Sequence, residues 1–136
     1  MKKTFPVPRR APSRTIDDFP KALYNKEDCL FPLGIWQGGL NAIVVLGIDP
    51  GYALMGWGVV ESEGSRMKLL GYGCVETKAG VPMQHRLRTL QLSIRDLVNI
   101  YQPDDVAFEE LFFARNVTTA LMVGAARGAA IIAAAE

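Results

Sequence analysis

Hydrophobic and polar positions follow two regimes along the chain, irregular at first and periodic from Ile43 onward. The run Ile43–Ile48 is almost continuously apolar and ends at Asp49, Pro50 and Gly51. A continuous apolar run closed by Pro-Gly is typical of a strand buried on both faces that ends in a tight turn. The pattern therefore predicts a strand that presents a carboxylate at its carboxyl end.

Two further strands are predicted after this turn. Residues 56–61 alternate small and apolar positions, and residues 67–77 continue the pattern after a turn at residues 63–65. Gly71 and Gly73 in the third strand suggest a bulge or a close neighbour. Strands joined by such short turns predict an antiparallel meander.

A helix, a short strand and a second helix are predicted from Pro82 onward. Pro82 suits a first helical turn, where a missing N–H does no harm. The apolar positions that follow fall on one helical face: Met83, Leu87, Leu90, Ile94, Leu97, Val98 and Tyr101. Arg86, Arg88 and Arg95 lie off this stripe and are interpreted as a solvated face. A short strand is predicted over residues 106–108, and a small-residue helix is expected from Val117 to about Ala135, N-capped by Asn116.

The two predicted strand ends carry acids. A strand, a helix and a return strand favour a right-handed crossover, so the strand before Glu109 can lie parallel to the strand before Asp49. Both acids would then meet at the carboxyl edge of the sheet, where open α/β sheets place their sites. Two carboxylates there repel unless cations lie between them, and oxygen-only ligands suit Mg²⁺ or Mn²⁺. The alternative interpretation of Asp49 is an Asx-turn residue that only shapes the loop.

Composition narrows the class of protein without identifying it. The chain has 136 residues, 49% hydrophobic positions and a net charge of +1, so one globular domain is expected and no global basic field indicates nucleic acid. Cys29 and Cys74 match no zinc or redox spacing, and Cys74 is interpreted as a small buried hydrophobe. The apolar segment 121–135 contains Arg127 and is judged too short to span a membrane.

Residues 1–42 differ from the rest of the chain. They hold five of the eight prolines, with seven Lys or Arg against four acids. No helical or strand period persists, so we predict a disordered extension, or a segment upstream of a true translation start near Val44. A basic DNA-binding arm and a transit peptide are minority interpretations.

Two motifs in this order, GIDPGYALMGWGV around Asp49 and AFEELFFARNVTTALMVGAARG around Glu109, resemble the RuvC family of bacterial Holliday-junction resolvases. The resemblance begins near Ile43 and reaches the last residue. It implies an α/β class with an RNase H-like fold, a mixed sheet flanked by helices. It also implies a cytoplasmic homodimer that works with the RuvA–RuvB branch-migration complex and nicks opposite strands of four-way junction DNA, using Mg²⁺, for which Mn²⁺ can substitute.

By position, the resemblance implies that Asp49 and Glu109, not Glu110, are catalytic metal ligands. It implies DNA contacts for Phe112 and Arg115. The helix that contains Gly124 and Gly128 resembles the one that forms the dimer contact in the family.

The chain departs from the family pattern after its last helix. The family has a further strand and C-terminal helices, which carry two more catalytic acids, so residues 43–136 are expected to be the N-terminal part of the nuclease domain, incomplete at the C-terminus. The alternatives are a catalytically dead fragment that binds junctions or only dimerises, an actin-like or sugar-kinase-like ATP-binding domain, and an RNA nuclease of the same fold.

Overall fold

The computed structural model describes residues 3–6, 42–110 and 117–136. The elements are, in chain order, β1 (Lys3–Pro6), β2 (Ile43–Asp49), β3 (Leu54–Glu63), β4 (Arg66–Glu76), α1 (Met83–Tyr101), β5 (Asp105–Phe108) and α2 (Val117–Ala135). The strands form a five-stranded mixed sheet in the order β1-β5-β2-β3-β4. The predicted α/β class and the order of elements from Ile43 onward are confirmed.

Strands β2, β3 and β4 form the predicted antiparallel meander. Gly64 lies in the turn between β3 and β4 with a φ of 59°, a conformation that favours glycine. The register between these strands shifts opposite Val59 and Val60, because β4 has one additional residue beside Gly71. A β-bulge thus lies where the glycines of the third strand suggested one.

Helix α1 carries the chain back to the start of the sheet, so that β5 pairs with β2 in parallel. The helix begins at Met83, one residue later than predicted, because Pro82 is its N-cap and not part of its first turn. Gln102 ends the helix in the left-handed conformation, with its backbone N–H donating to the carbonyl of Val98 at 2.9 Å. Asp104 then joins the two strands at their start: its carboxylate accepts the backbone N–H of Val44 at 2.9 Å.

Among the residues whose burial is described, the deeply buried positions of the sheet lie on one face. It carries Leu46, Ile48, Val106 and Phe108, and it forms a core with the apolar stripe of α1 and with alanines of α2. The expectation that the first strand is buried on both faces is wrong, because its alternate positions are only half-buried or exposed. Cys74 lies on the second face and is exposed, which corrects its interpretation as a buried hydrophobe.

Helix α2 packs against α1 through a face of small residues. The buried positions are Ala126, Ala130, Ala133 and Ala134. Of the described helices, α2 is long and apolar enough to cross a membrane by length and composition alone, a test that core helices of other proteins also pass. Its 19 residues correct the estimate from residues 121–135 that this segment is too short.

Strand β1 is a departure from the sequence prediction. Its four residues pair antiparallel with β5, with Lys3 opposite Phe108 and Pro6 opposite Asp105. The sequence predicted a disordered extension over residues 1–42 and no strand within it, because four residues are too few to show a period. Pairing with the edge of β5 supplies hydrogen bonds that the local sequence does not reveal, and proline is tolerated in an edge strand. Residues 1–2 and 7–41 of the predicted extension lie outside the described residues.

Candidate functional site

Asp49 and Glu109 lie side by side at the carboxyl edge of the sheet. The last aligned pair of the parallel strands β2 and β5 is Ile48 with Phe108. The backbone N–H of Glu109 donates to the carbonyl of Ile48 at 2.9 Å, which continues the register by one residue. Because Ile48 and Phe108 face the core, the residues that follow them project toward the opposite face, where both acids are exposed. The predicted parallel pairing of these two strands, which puts both acids at the same edge of the sheet, is confirmed.

The two carboxylates are available to a ligand. Within residues 42–110 and 117–136, no hydrogen bond or ion pair engages the side chain of either acid. A Cβ built on Gly56, the β3 residue paired with Asp49, would lie 3.5 Å from Asp49 Cβ and 3.9 Å from Asp49 Oδ2. The glycine therefore leaves the space beside the Asp49 carboxylate open.

The loop after Asp49 is tightly closed. A Cβ on Gly51 would lie 1.8 Å from the backbone oxygen of Leu54, so only glycine fits this turn. The loop is also tied to the end of β4: Thr77 N donates to Ala53 O at 2.8 Å, and Thr77 Oγ1 donates to Tyr52 O at 2.6 Å. Asp49 thus stands between a paired strand and a fixed turn.

Arg86 of α1 holds the same loop, which corrects its assignment to a solvated face. Its Nε donates to Thr77 Oγ1 at 2.9 Å, and its Nη2 donates to Thr77 O at 3.1 Å and to Tyr52 O at 3.4 Å. Its guanidinium carbon lies 3.9 Å from the centroid of the Tyr52 ring, within cation–π distance. Arg88 and Arg95 are exposed, as the periodicity predicted.

Arg127 of α2 makes the corresponding contact beside Glu109. Its Nη1 donates to the backbone oxygen of Glu109 at 2.6 Å, and its guanidinium lies 5.7 Å from the centroid of the Phe108 ring. This contact of Arg127 was not predicted from the sequence. The one available signal was a charged residue within an otherwise apolar helix, where a lone cation needs a partner.

The remaining predicted site residues fall into two groups. Phe112 and Arg115, the predicted DNA contacts, lie outside the described residues, as does the predicted N-cap Asn116. Gly124 and Gly128 lie on α2 away from its buried alanines, and a Cβ on either would meet none of the described residues within 4 Å. Both glycines thus belong to a surface that is open in the single chain.

The side chains of Asp49 and Glu109 offer only oxygen atoms at this edge of the sheet. No group of three or more His, Cys, Asp or Glu side chains suited to a metal occurs in the described ranges. Mg²⁺ is commonly held by one or two carboxylates together with substrate phosphates and water. The residues present fit such an ion.

These features define a class: an α/β domain with paired carboxylates at the ends of two neighbouring parallel strands. The family model described as crossover junction endodeoxyribonuclease RuvC matches residues 45–136. Relatives of that name include one from Rubrobacter xylanophilus, 53% identical over 97 residues, and one from Alkaliphilus metalliredigens, 46% identical over 93 residues. The two alignments cover 71% and 68% of this chain, and 54% and 57% of the relatives.

A solved structure of similar fold is that of T. thermophilus RuvC in complex with a Holliday junction substrate. It superposes with a TM-score of 0.65 and 36% sequence identity, covering 68% of this chain and 59% of the other. The chain belongs to the RuvC family, and the predicted RNase H-like fold is confirmed. The chain spans about half the length of the curated relatives it matches.

Proposed function

We propose that residues 43–136 form the N-terminal part of a RuvC-like nuclease domain that resolves four-way DNA junctions by metal-dependent hydrolysis of the phosphodiester backbone. The observation that carries this proposal is the parallel register of β2 and β5, which brings Asp49 and Glu109 together. Family membership supports the substrate, since one solved relative is described with a Holliday junction.

Asp49 and Glu109 are the proposed ligands of Mg²⁺, for which Mn²⁺ can substitute. When bound, a divalent ion supplies Lewis-acid stabilisation of the phosphoryl charge and makes water a stronger nucleophile at neutral pH. The contribution of this chain is to hold two carboxylates at fixed positions on paired strands. Because the described residues place no third potential metal ligand with Asp49 and Glu109, the chain alone should bind Mg²⁺ weakly and cut poorly, with DNA phosphates contributing further oxygen ligands.

The DNA contacts remain proposals from the family resemblance. Phe112 and Arg115 follow Glu109 by three and six positions in the sequence, and this proximity in the chain together with the resemblance supports the proposal. A net charge of +1 gives little general attraction to DNA, so local contacts and bound cations have to offset the phosphate charge.

A homodimer would explain paired nicks, since two-fold symmetry places one acidic site on each of two opposite strands. The proposed contact is the stripe of α2 that contains Gly124 and Gly128. Large apolar residues on the same side of the helix are exposed: Val117 by 72%, Leu121 by 70% and Ile132 by 58%. Such a stripe, with small residues that permit close approach, suits a helix of a second copy. Association with RuvA–RuvB and a cytoplasmic location complete the proposal by resemblance.

The test uses the complete gene product and a synthetic four-way junction. Asp49→Asn and Glu109→Gln should each lower the Mg²⁺-dependent cleavage rate by at least about 100-fold, because residues that merely orient a metal ligand already cost about 10–100-fold. Binding to the junction, measured by mobility shift in Ca²⁺ or EDTA, should persist. Glu110→Gln is the matched control, since Glu110 is exposed and adjacent, and it should cut normally.

Normal cleavage by Asp49→Asn would refute the site. A wild-type protein that binds junctions but never cuts them would instead favour the second candidate function, junction binding or dimerisation without catalysis. Preferential cleavage of structured RNA would indicate a different nuclease of the same fold.

A further inference from the structure

Two arginines approach the two acids without touching either carboxylate. Arg86 binds the backbone carbonyl of Tyr52, three residues after Asp49, and Arg127 binds the backbone carbonyl of Glu109 itself. The arginines come from different helices, α1 and α2. The arrangement therefore recurs independently at both strand ends.

Arg86 joins three segments that are distant in sequence. It lies near the start of α1, and its hydrogen bonds reach Thr77 at the end of β4 and Tyr52 in the loop after Asp49. Thr77 is only 6% exposed, and its hydroxyl donates a hydrogen bond to the same Tyr52 carbonyl oxygen. A planar guanidinium can make these divergent contacts and stack on the ring at once, whereas a lysine ammonium cannot.

Arg127 completes the fixation of Glu109. The N–H of Glu109 is held by β2 through Ile48 O, and its carbonyl is held by Arg127. Both peptide groups that flank the Glu109 Cα are thereby restrained, one by the sheet and the other by α2.

Both arginines bind a backbone carbonyl oxygen and not a carboxylate, and this has an electrostatic consequence. A guanidinium paired with a carboxylate neutralises its charge and competes with a metal ion for the same oxygens. An arginine that binds the neighbouring carbonyl restrains the backbone and leaves both carboxylate oxygens available. We propose that Arg86 and Arg127 are positioning residues, which set the direction of the Asp49 and Glu109 carboxylates for a divalent cation by clamping the backbone beside them. This proposal rests on the proposed metal role of the two acids.

Lysine variants isolate geometry from charge. Arg86→Lys and Arg127→Lys keep the positive charge and lose the planar fork, and Arg88→Lys on the exposed side of α1 is the matched control. The probe is Mn²⁺ alone, titrated with the complete gene product and followed by electron paramagnetic resonance. We expect each positioning variant to raise the Mn²⁺ dissociation constant by roughly 10-fold, the effect of removing residues that orient metal ligands, and the control to leave it unchanged.

Hydrogen exchange provides a readout that needs no metal. Arg86→Lys should accelerate exchange of the Ala53 to Met55 amides more than that of the β2 amides, while Arg88→Lys should not. Unchanged exchange and an unchanged Mn²⁺ dissociation constant in folded Arg86→Lys and Arg127→Lys would overturn the proposal. Faster exchange or a lower melting temperature without a change in Mn²⁺ affinity would also overturn it, since the arginines would then be merely structural.

Two further outcomes separate the proposal from its premise. Tighter Mn²⁺ binding in Arg86→Ala and Arg127→Ala would mean that the arginines act as competing charges, which overturns positioning but leaves the metal site intact. Wild-type protein whose Mn²⁺ binding is no stronger than that of Asp49→Asn would refute the proposed metal site itself. The exchange experiment would still decide whether Arg86 holds the loop.

Discussion

Gly51→Ala is a sharp test of how the Asp49 loop is built. A Cβ at this position would lie 1.8 Å from the Leu54 carbonyl oxygen and 2.9 Å from the Leu54 carbonyl carbon. Ordinary van der Waals contact begins near 3.4 Å, so the turn would have to open by about 1.6 Å, the difference between the two distances. Gly51 does not have a positive φ. Glycine is therefore needed at this position because there is no space for a Cβ, and not because of an unusual backbone angle.

The obstacle is backbone, which cannot rotate away as a side chain can. Inserting a methyl group into a well-packed region typically costs about 1–3 kcal/mol, and we expect the upper part of that range. For a domain of this size, about 2–3 kcal/mol corresponds to a fall of roughly 10 °C or more in the melting temperature.

The matched control is Gly58→Ala, the same chemical change in the interior of β3. The atom nearest to a Cβ built on Gly58 would be Tyr72 Cβ at 4.0 Å, an ordinary van der Waals distance. Because glycine within a strand is entropically unfavourable, this variant should be unchanged or more stable by up to about 1 kcal/mol.

Urea and thermal unfolding of the 136-residue chain, followed by far-UV circular dichroism, measure both variants against wild type. Equal stability of Gly51→Ala and Gly58→Ala would refute the steric reasoning. It would mean that the turn after Asp49 relaxes without cost, and that its tight closure does not hold the acid in place.

Two other predictions concern the helices. Leu121→Asp in the exposed stripe of α2 should leave the melting temperature of the monomer nearly unchanged. In sedimentation velocity, the same substitution should shift the complete gene product from dimer to monomer. The control Met83→Asp, at a 44% exposed apolar position of α1, should stay dimeric. An Leu121→Asp protein that remains a dimer would exclude this stripe as the contact. Burial raises the pKa of Asp96, and the nearby Arg95 charge lowers it in part. The folded state therefore binds the Asp96 proton more tightly than the unfolded state does. The folding stability that this proton contributes is present at acid pH and is lost as the pH rises through the raised pKa. Asp96→Asn should therefore stabilise the chain slightly at pH 7 relative to wild type, with the gain shrinking toward pH 4 in chemical denaturation; a gain independent of pH would contradict this origin.

The local pattern of the chain was enough to predict the meander, both helices and the meeting of the acids. These features depend on short-range rules: apolar period, turn chemistry at Pro50 and Gly64, and the handedness of a crossover connection. The placement of Asp49 beside Glu109 follows from those rules once the intervening helix is recognised, because a parallel return strand brings both strand ends to the same edge.

Other features depended on packing between distant segments. Arg86 and Arg88 look alike in sequence, yet Arg86 contacts Tyr52, 34 residues earlier, while Arg88 faces solvent. The same holds for Cys74, whose exposure depends on which face of the sheet the helices cover. Hydrogen-bond partners and burial are set by the three-dimensional arrangement of whole elements, and a periodicity of two or 3.6 residues carries no information about which remote carbonyl a guanidinium will meet.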